Sequence, residues 1–274
     1  MKPKARHLIL DLLLASGEQA LSAREFIAGC ALFDISENNV RVALVRLSAE
    51  GLIEAAERGS YRLSGSAHEL ADEVATWRTA EKRVRAWKGG YIAVHCGALG
   101  RSNRAAMRRR NRALNMLGFR ELERGLLVRP DNIEDGVETV RQRLHTLGLE
   151  PEASVFVAQG FDARREMRIR ALWDGKTLTA TYKKLRAKLE AWMERAESLE
   201  PEVAAREAFV LGGKAIREIV FDPLLPDPFV DTAARRAFVE TVRRFDRLGQ
   251  TIWRQSRIAS LGPEPPAART VRAH

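Results

Sequence analysis

The stretch from Ser36 to Leu63 constrains the fold more tightly than any other part of the chain. Ser36 is a residue type that caps helices, and Val40, Leu44 and Leu47 follow it at the spacing of one helical face, with Val42, Ala43 and Val45 broadening that inward stripe. Gly51 stops the helix. Leu52 to Ala56 and Ser60 to Leu63 then read as two strands joined through Glu57-Arg58-Gly59. Upstream, His7 to Leu14 reads as a buried first helix ended by Gly17. Ser22, with Glu25 three residues later, predicts a capping box ahead of Phe26-Ile27. Leu32 to Ile35 makes a short connection. Helix, helix-turn-helix and hairpin together predict a winged helix-turn-helix domain over residues 1–65.

In such a domain the core holds the apolar side of the third helix, leaving its polar side free to enter a major groove. Ser36, Asn38 and Asn39 at its start can then meet bases or phosphates, Arg41 and Arg46 offer charged donors, and Arg58 at the wing tip can reach the backbone or the minor groove. The same residues would equally well solvate an exposed helix. Charge argues against this domain acting alone: residues 1–75 carry 8 basic and 11 acidic groups, a net of −3, whereas nonspecific attraction to DNA needs cations. Residues 76–130 carry 14 basic and 3 acidic groups, a net of +11, against +2 for residues 131–274. The excess is led by Arg101, Arg104, Arg108, Arg109, Arg110 and Arg112, which can attract the phosphates of DNA, of RNA or of an anionic metabolite. Either this segment or a second subunit would make good the deficit.

Residues 66–90 are expected to be a helical connector, with Leu70, Val74, Trp77, Glu81 and Val84 at helical intervals and Trp87 to Gly90 closing it. Its tryptophans read as packing anchors rather than nucleobase platforms. Over residues 91–160 an apolar strand, Tyr91 to Cys96, precedes a helix capped by Ser102 and running to about Leu117. Short strands follow at Phe119 to Leu122 and Gly125 to Pro130, then a helix over about Ile133 to Leu147 and a last strand at Val155 to Ala158. The order βαββαβ predicts a ferredoxin-like central domain. The first strand ends His95-Cys96-Gly97, with no carboxylate to hold the magnesium or manganese of a phosphodiesterase. His95 alone makes no zinc site, and both residues read as packing at a strand end. The arginines of the first helix are left with three roles: DNA-backbone support, ligand-phosphate contact or a solvated face.

Residues 161–262 are expected to form a mainly helical C-terminal domain for dimerisation or effector binding, with helices over Ala163 to Leu172, Leu178 to Ala196, Pro201 to Val220 and Ala233 to Leu248. Between the last two, Phe221 to Phe229 contains three prolines that bar a regular helix, and it can serve as a domain lock, a pocket wall or a dimer contact. Residues 263–274 begin Pro-Glu-Pro-Pro and are expected to be a disordered tail. Two cysteines, Cys30 and Cys96, lack a C-x-x-C partner and provide neither a disulfide framework nor a cysteine metal site. No apolar run reaches the roughly 18 residues of a membrane helix, so a cytoplasmic protein with no membrane partner, no metal and no cofactor is expected. The fold class is thus α+β and multidomain.

Four blocks in this order resemble the PaaX-type transcriptional regulators, the family of the repressor of phenylacetate catabolism. They are Ile35 to Leu47 followed by Gly51-Leu52-Ile53; Trp87-Lys88-Gly89-Gly90-Tyr91; Gly118-Phe119 with Gly125 to Asn132; and Phe221-Asp222-Pro223-Leu224-Leu225-Pro226. The resemblance implies a homodimeric, non-enzymatic repressor of double-stranded operator DNA, released by an aryl-CoA thioester such as phenylacetyl-CoA. It also implies a middle domain similar to a small CRISPR-associated nuclease but without its activity. By position it makes the helix beginning at Ser36 the DNA-reading one, with Asn38, Asn39, Arg41 and Arg46 as its first readers. Two other readings stay open on the residues alone: a nucleic-acid-processing enzyme built on the central domain, and a nonspecific architectural protein.

Overall fold

The computed structural model describes residues 3–16, 19–57, 59–65, 67, 76–97, 99–100 and 103–261, the side chains of 256–261 excepted. The chain divides into two compact units. The first holds residues 1–75 together with 195–210 and the stretch from Asp246; the second holds Thr76–Glu194 and Leu211–Phe245.

In the first unit, helices α1 (Ala5–Ser16), α2 (Ala23–Ala31) and α3 (Glu37–Ala49) surround a core with a three-stranded sheet of β1 (Leu21–Ser22), β2 (Ile53–Glu57) and β3 (Ser60–Leu63). The sheet order is β1-β3-β2 and all pairs are antiparallel. The capping box forms: Ser22 Oγ accepts from Glu25 N at 3.3 Å, while Ser22 N donates to the Glu25 carboxylate at 2.6 Å. Ser36 caps α3, its hydroxyl accepting from Asn39 N at 3.4 Å. Val40, Ala43, Leu44 and Leu47 are buried in one core with Leu8, Phe26 and Ile53. Val42 and Val45 do not belong to that stripe and are exposed. Two and five positions on from Val40, they lie roughly 200° and 140° around a helix that turns about 100° per residue. Phe209 and Trp253 also pack on this core, Phe209 edge-on to Phe33 at 5.4 Å.

The second unit is built on a four-stranded antiparallel sheet in the order β5-β6-β4-β7. Its strands are β4 (Tyr91–His95), β5 (Arg120–Glu123), β6 (Leu126–Pro130) and β7 (Ser154–Ala158); α4 (Arg104–Met116) follows β4 and α5 (Gly136–Thr146) follows β6. Tyr91 to Val94 are all buried, as expected of a strand covered on both faces. Asn103 caps α4, its side chain accepting from Ala105 N and Ala106 N at 3.0 Å; Ser102, the cap expected from the sequence, lies outside the described residues. The second helix of this region starts at Gly136 rather than Ile133, because Asp135 and Gly136 take left-handed backbone angles, φ 61 and 66. Ahead of the sheet, Thr76–Arg83 form 3-10 turns and Val84 bridges to Ile133, where an α-helical connector was expected. Leu70 and Val74 of that connector lie outside the described residues.

Four further helices follow: α6 (Ala163–Arg170), α7 (Gly175–Arg195), α8 (Pro201–Val220) and α9 (Thr232–Leu261). The last runs well past Leu248, the end that its sequence pattern predicts. The expected tail, 263–274, is outside the described residues. The proline-containing segment before α9 is held by two buried polar side chains, Arg129 of β6 and Asn132 just beyond its end. Asn132 Nδ2 donates to Leu224 O at 2.6 Å, and Arg129 donates to Pro223 O at 3.4 Å and to Asn132 Oδ1 at 3.2 Å. Burial, then the charge of Arg143, lowers the Arg129 pKa to about 9, which still leaves a cation at neutral pH. Gly118 sits beneath the segment at φ +75, and a Cβ there would fall 2.7 to 3.0 Å from Pro223 atoms, so no other residue fits without displacement.

Candidate nucleic-acid interface

α3 presents two unlike faces. Its inner stripe fixes the helix to the core, while Ser36, Asn38, Asn39, Arg41, Val42, Val45 and Arg46 are all exposed. The Ser36 hydroxyl is already engaged as the cap. Arg41 donates through Nε and Nη2 to the same oxygen of Glu37, at 2.8 and 2.6 Å, with the two side chains 61% and 56% exposed. A pair so open to solvent is worth about 0.3–0.5 kcal/mol, little enough to be exchanged for a phosphate or a base edge. On the hairpin, Arg62 pairs with Glu54 across the strands at 2.8 Å. Gly59, at φ +80, makes the turn, and Arg58 beside it lies outside the described residues.

The basic helix divides in the same way. Arg104, Arg108, Arg109 and Arg112 are exposed. Arg104, Arg108 and Arg112, four residues apart, make one stripe with about 6 Å between successive positions. Arg110 is a correction to the expected set of phosphate-facing arginines. It is 7% exposed and donates to both oxygens of Glu150, at 3.0 and 2.6 Å, and to Gly100 O at 3.2 Å. Those bonds raise the arginine's pKa and lower that of Glu150. Helical geometry turns it inward, on the side of buried Ala113 and Leu114, while its neighbours face water. Arg101 lies outside the described residues.

His95 is exposed at the end of β4, over Gly97, where a Cβ would come 2.6 Å from its ring nitrogen. Cys96 is buried, and so is Cys30, whose thiol burial pushes up to about 12, far from a reactive thiolate. Among the described residues no group of three or more His, Cys, Asp or Glu is arranged to hold a metal ion, and no helix is long and apolar enough to cross a membrane. Trp87 packs edge-on against Tyr91 and Phe229, at 5.6 and 5.1 Å, as a packing anchor does.

The polar residues of α3 are readily singled out from sequence, because a cap, a stripe and a stop define which side faces out. The exposed valines are not: they are apolar, and only their angular position distinguishes them from core residues.

Comparison with known proteins bears on both ends of the chain. A solved structure of the uncharacterized protein Rv0674 from Mycobacterium tuberculosis has a similar fold, with a TM-score of 0.62 and 22% identity, covering 94% of this chain and 99% of that one. No curated protein matches. The family model of the PaaX-like protein matches residues 4–67, and that of the PaaX-like protein C-terminal domain matches residues 173–255. Matched in chain order over more than half its length, the chain belongs to the PaaX-like family of ligand-responsive transcriptional repressors.

Proposed function

We propose that the protein binds a near-palindromic operator as a homodimer, each protomer placing α3 in a major groove, and that an aryl-CoA thioester releases it. The observation that carries this reading is the division of α3: four buried apolar side chains lock it in place while Asn38, Asn39, Arg41 and Arg46 stand in solvent. In this reading residues 1–65 are a winged helix-turn-helix, with the β2-β3 hairpin as the wing. Residues 91–160 are a ferredoxin-like domain, to which the strand order β5-β6-β4-β7 is suited. Residues 161–262 are the dimerisation or effector domain, and 66–90 connect the two ends.

Asparagine can bond bidentately to adenine and arginine to guanine, so these side chains give sequence preference. The Ser36 hydroxyl serves the helix itself and acts only by orienting its first turn. The exposed stripe of Arg104, Arg108 and Arg112, with Arg109 beside it, supplies the sequence-independent attraction that the −3 balance of residues 1–75 lacks. A CoA phosphate is the competing occupant of those arginines. For release, the thioester must bind the DNA-free state more tightly than the DNA-bound one, and DNA must reciprocally weaken thioester binding.

The test is fluorescence polarisation on a duplex from the protein's own upstream region, with a scrambled duplex as competitor, with and without phenylacetyl-CoA or free CoA. Selective binding abolished by the thioester alone is expected. Equal affinity for both duplexes would overturn the operator reading, and selective binding indifferent to the thioester would overturn the effector.

A further inference from the structure

The centre of the α3 outer face is apolar. Val42 is 41% exposed and Val45 69%, and being three residues apart they are neighbours on the helix surface. Asn38 lies four positions before Val42, and Arg41 four before Val45, so the two valines are bordered by hydrogen-bond donors on the same face. Among the described residues neither valine belongs to the first unit's core or to the hydrophobic side chains packed against it. The core is filled by Val40, Ala43, Leu44 and Leu47 from the opposite side, and β-branched residues at exposed helix positions reduce helix propensity while leaving apolar surface wet.

The major groove offers one apolar group to a reading helix, the C5 methyl of thymine. We infer that Val42 and Val45 pack against thymine methyl groups and thereby fix A·T pairs at the centre of each half-site. The inference rests on α3 being the helix that enters the groove. A protein partner fits the patch poorly. Two valine side chains supply a small fraction of the roughly 800 Å² per partner that a stable interface buries, and their border of Asn38, Asn39, Arg41 and Arg46 suits the edges and phosphates of a duplex.

The experiment uses the full-length protein and the best duplex selected from a random pool, in which each thymine is replaced singly by deoxyuridine, removing only the methyl group. Binding is compared for the wild type, Val42→Ala, Val45→Ala and, as a control, Arg41→Ala. The wild type is expected to lose several-fold in affinity at one or two thymines of each half-site. Val45→Ala and Val42→Ala should each bind the thymine duplex several-fold more weakly and no longer distinguish thymine from uracil at one of those positions, whereas Arg41→Ala should retain the distinction. Both alanine variants should unfold at or slightly above the wild-type temperature, because alanine is the better helix former. A wild type that selects its duplex over a scrambled one yet ignores every methyl group would overturn this inference and leave the role of α3 intact. Failure to select any duplex would overturn both. Loss of the dimer in Val45→Ala, measured by sedimentation, would reassign the patch to a protein contact.

Discussion

Arg110 and Glu150 form a bidentate ion pair, 3.0 and 2.6 Å, in the middle of a helix whose other arginines face water. With the arginine side chain 9% exposed and the glutamate 24%, removal of either partner leaves a largely buried group without its charge-assisted bonds. Arg110→Ala is expected to cost about 2 kcal/mol of stability and to leave the salt dependence of DNA binding unchanged. Chemical denaturation and a salt titration check the two halves separately.

The same pair sets an acid limit. Arg110 holds the Glu150 carboxyl below its ordinary value of 4.5, so the folded state favours the ionised form. That contribution is complete above about pH 4.5 and is lost as pH falls through the lower folded value. Denaturation of wild type and Glu150→Gln between about pH 3 and 7 should show a stability difference that is constant near neutrality and shrinks at the acid end. A difference independent of pH would contradict the pairing.

Arg104→Ala, Arg108→Ala and Arg112→Ala should each weaken specific and scrambled duplexes by the same factor, and each should reduce the slope of log affinity against log salt by about 0.9 per protomer, about 1.8 for the dimer. Should the arginines instead bind a CoA phosphate, the slope will stay and the thioester response will fall.

Arg41→Ala and Asn39→Ala should alter stability by less than about 0.5 kcal/mol, since one removes only an exposed ion pair and the other only an exposed side chain. Operator preference should fall by about 1–3 kcal/mol for each base that is no longer bonded bidentately. Competition binding at fixed salt distinguishes the two effects.

Gly118→Ala is expected to destabilise by about 2 kcal/mol or more, combining a left-handed backbone with a Cβ forced within 3.0 Å of Pro223. Thermal unfolding measures it. Asn132→Ala should act similarly by leaving Leu224 O and part of Arg129 without a partner.

Local chemistry is legible in the sequence, and angular position is less so. The Ser22 and Glu25 box, the Ser36 cap and the Gly51 stop each depend on residues within a few positions of one another, and each stands where the sequence puts it. The inward turn of Arg110 depends on Glu150, forty residues away, and one residue of helical phase separates it from the exposed Arg109. Val42 and Val45 resemble core residues because hydrophobicity alone carries no direction. The two-residue strand β1 has no sequence signature of its own, since it exists only by pairing Leu21 and Ser22 with Tyr61 and Ser60. Periodicity alone makes the connector α-helical, yet Val84 is drawn into a bridge with Ile133 by a partner that periodicity does not see. Two of the candidate site residues, Arg58 and Arg101, and the expected cap Ser102 lie outside the described residues.

The most direct measurement is a hydroxyl-radical and base-methylation footprint of the full-length protein on its selected duplex, repeated with Asn39→Ala combined with Arg41→Ala. Two α3 helices in successive major grooves should protect two patches centred about 10–10.5 base pairs apart, and the double variant should lose the base protections first. A single patch, or protection spread evenly along any duplex and unchanged in the variant, would contradict the assignment of α3 as the operator-reading helix of a dimer.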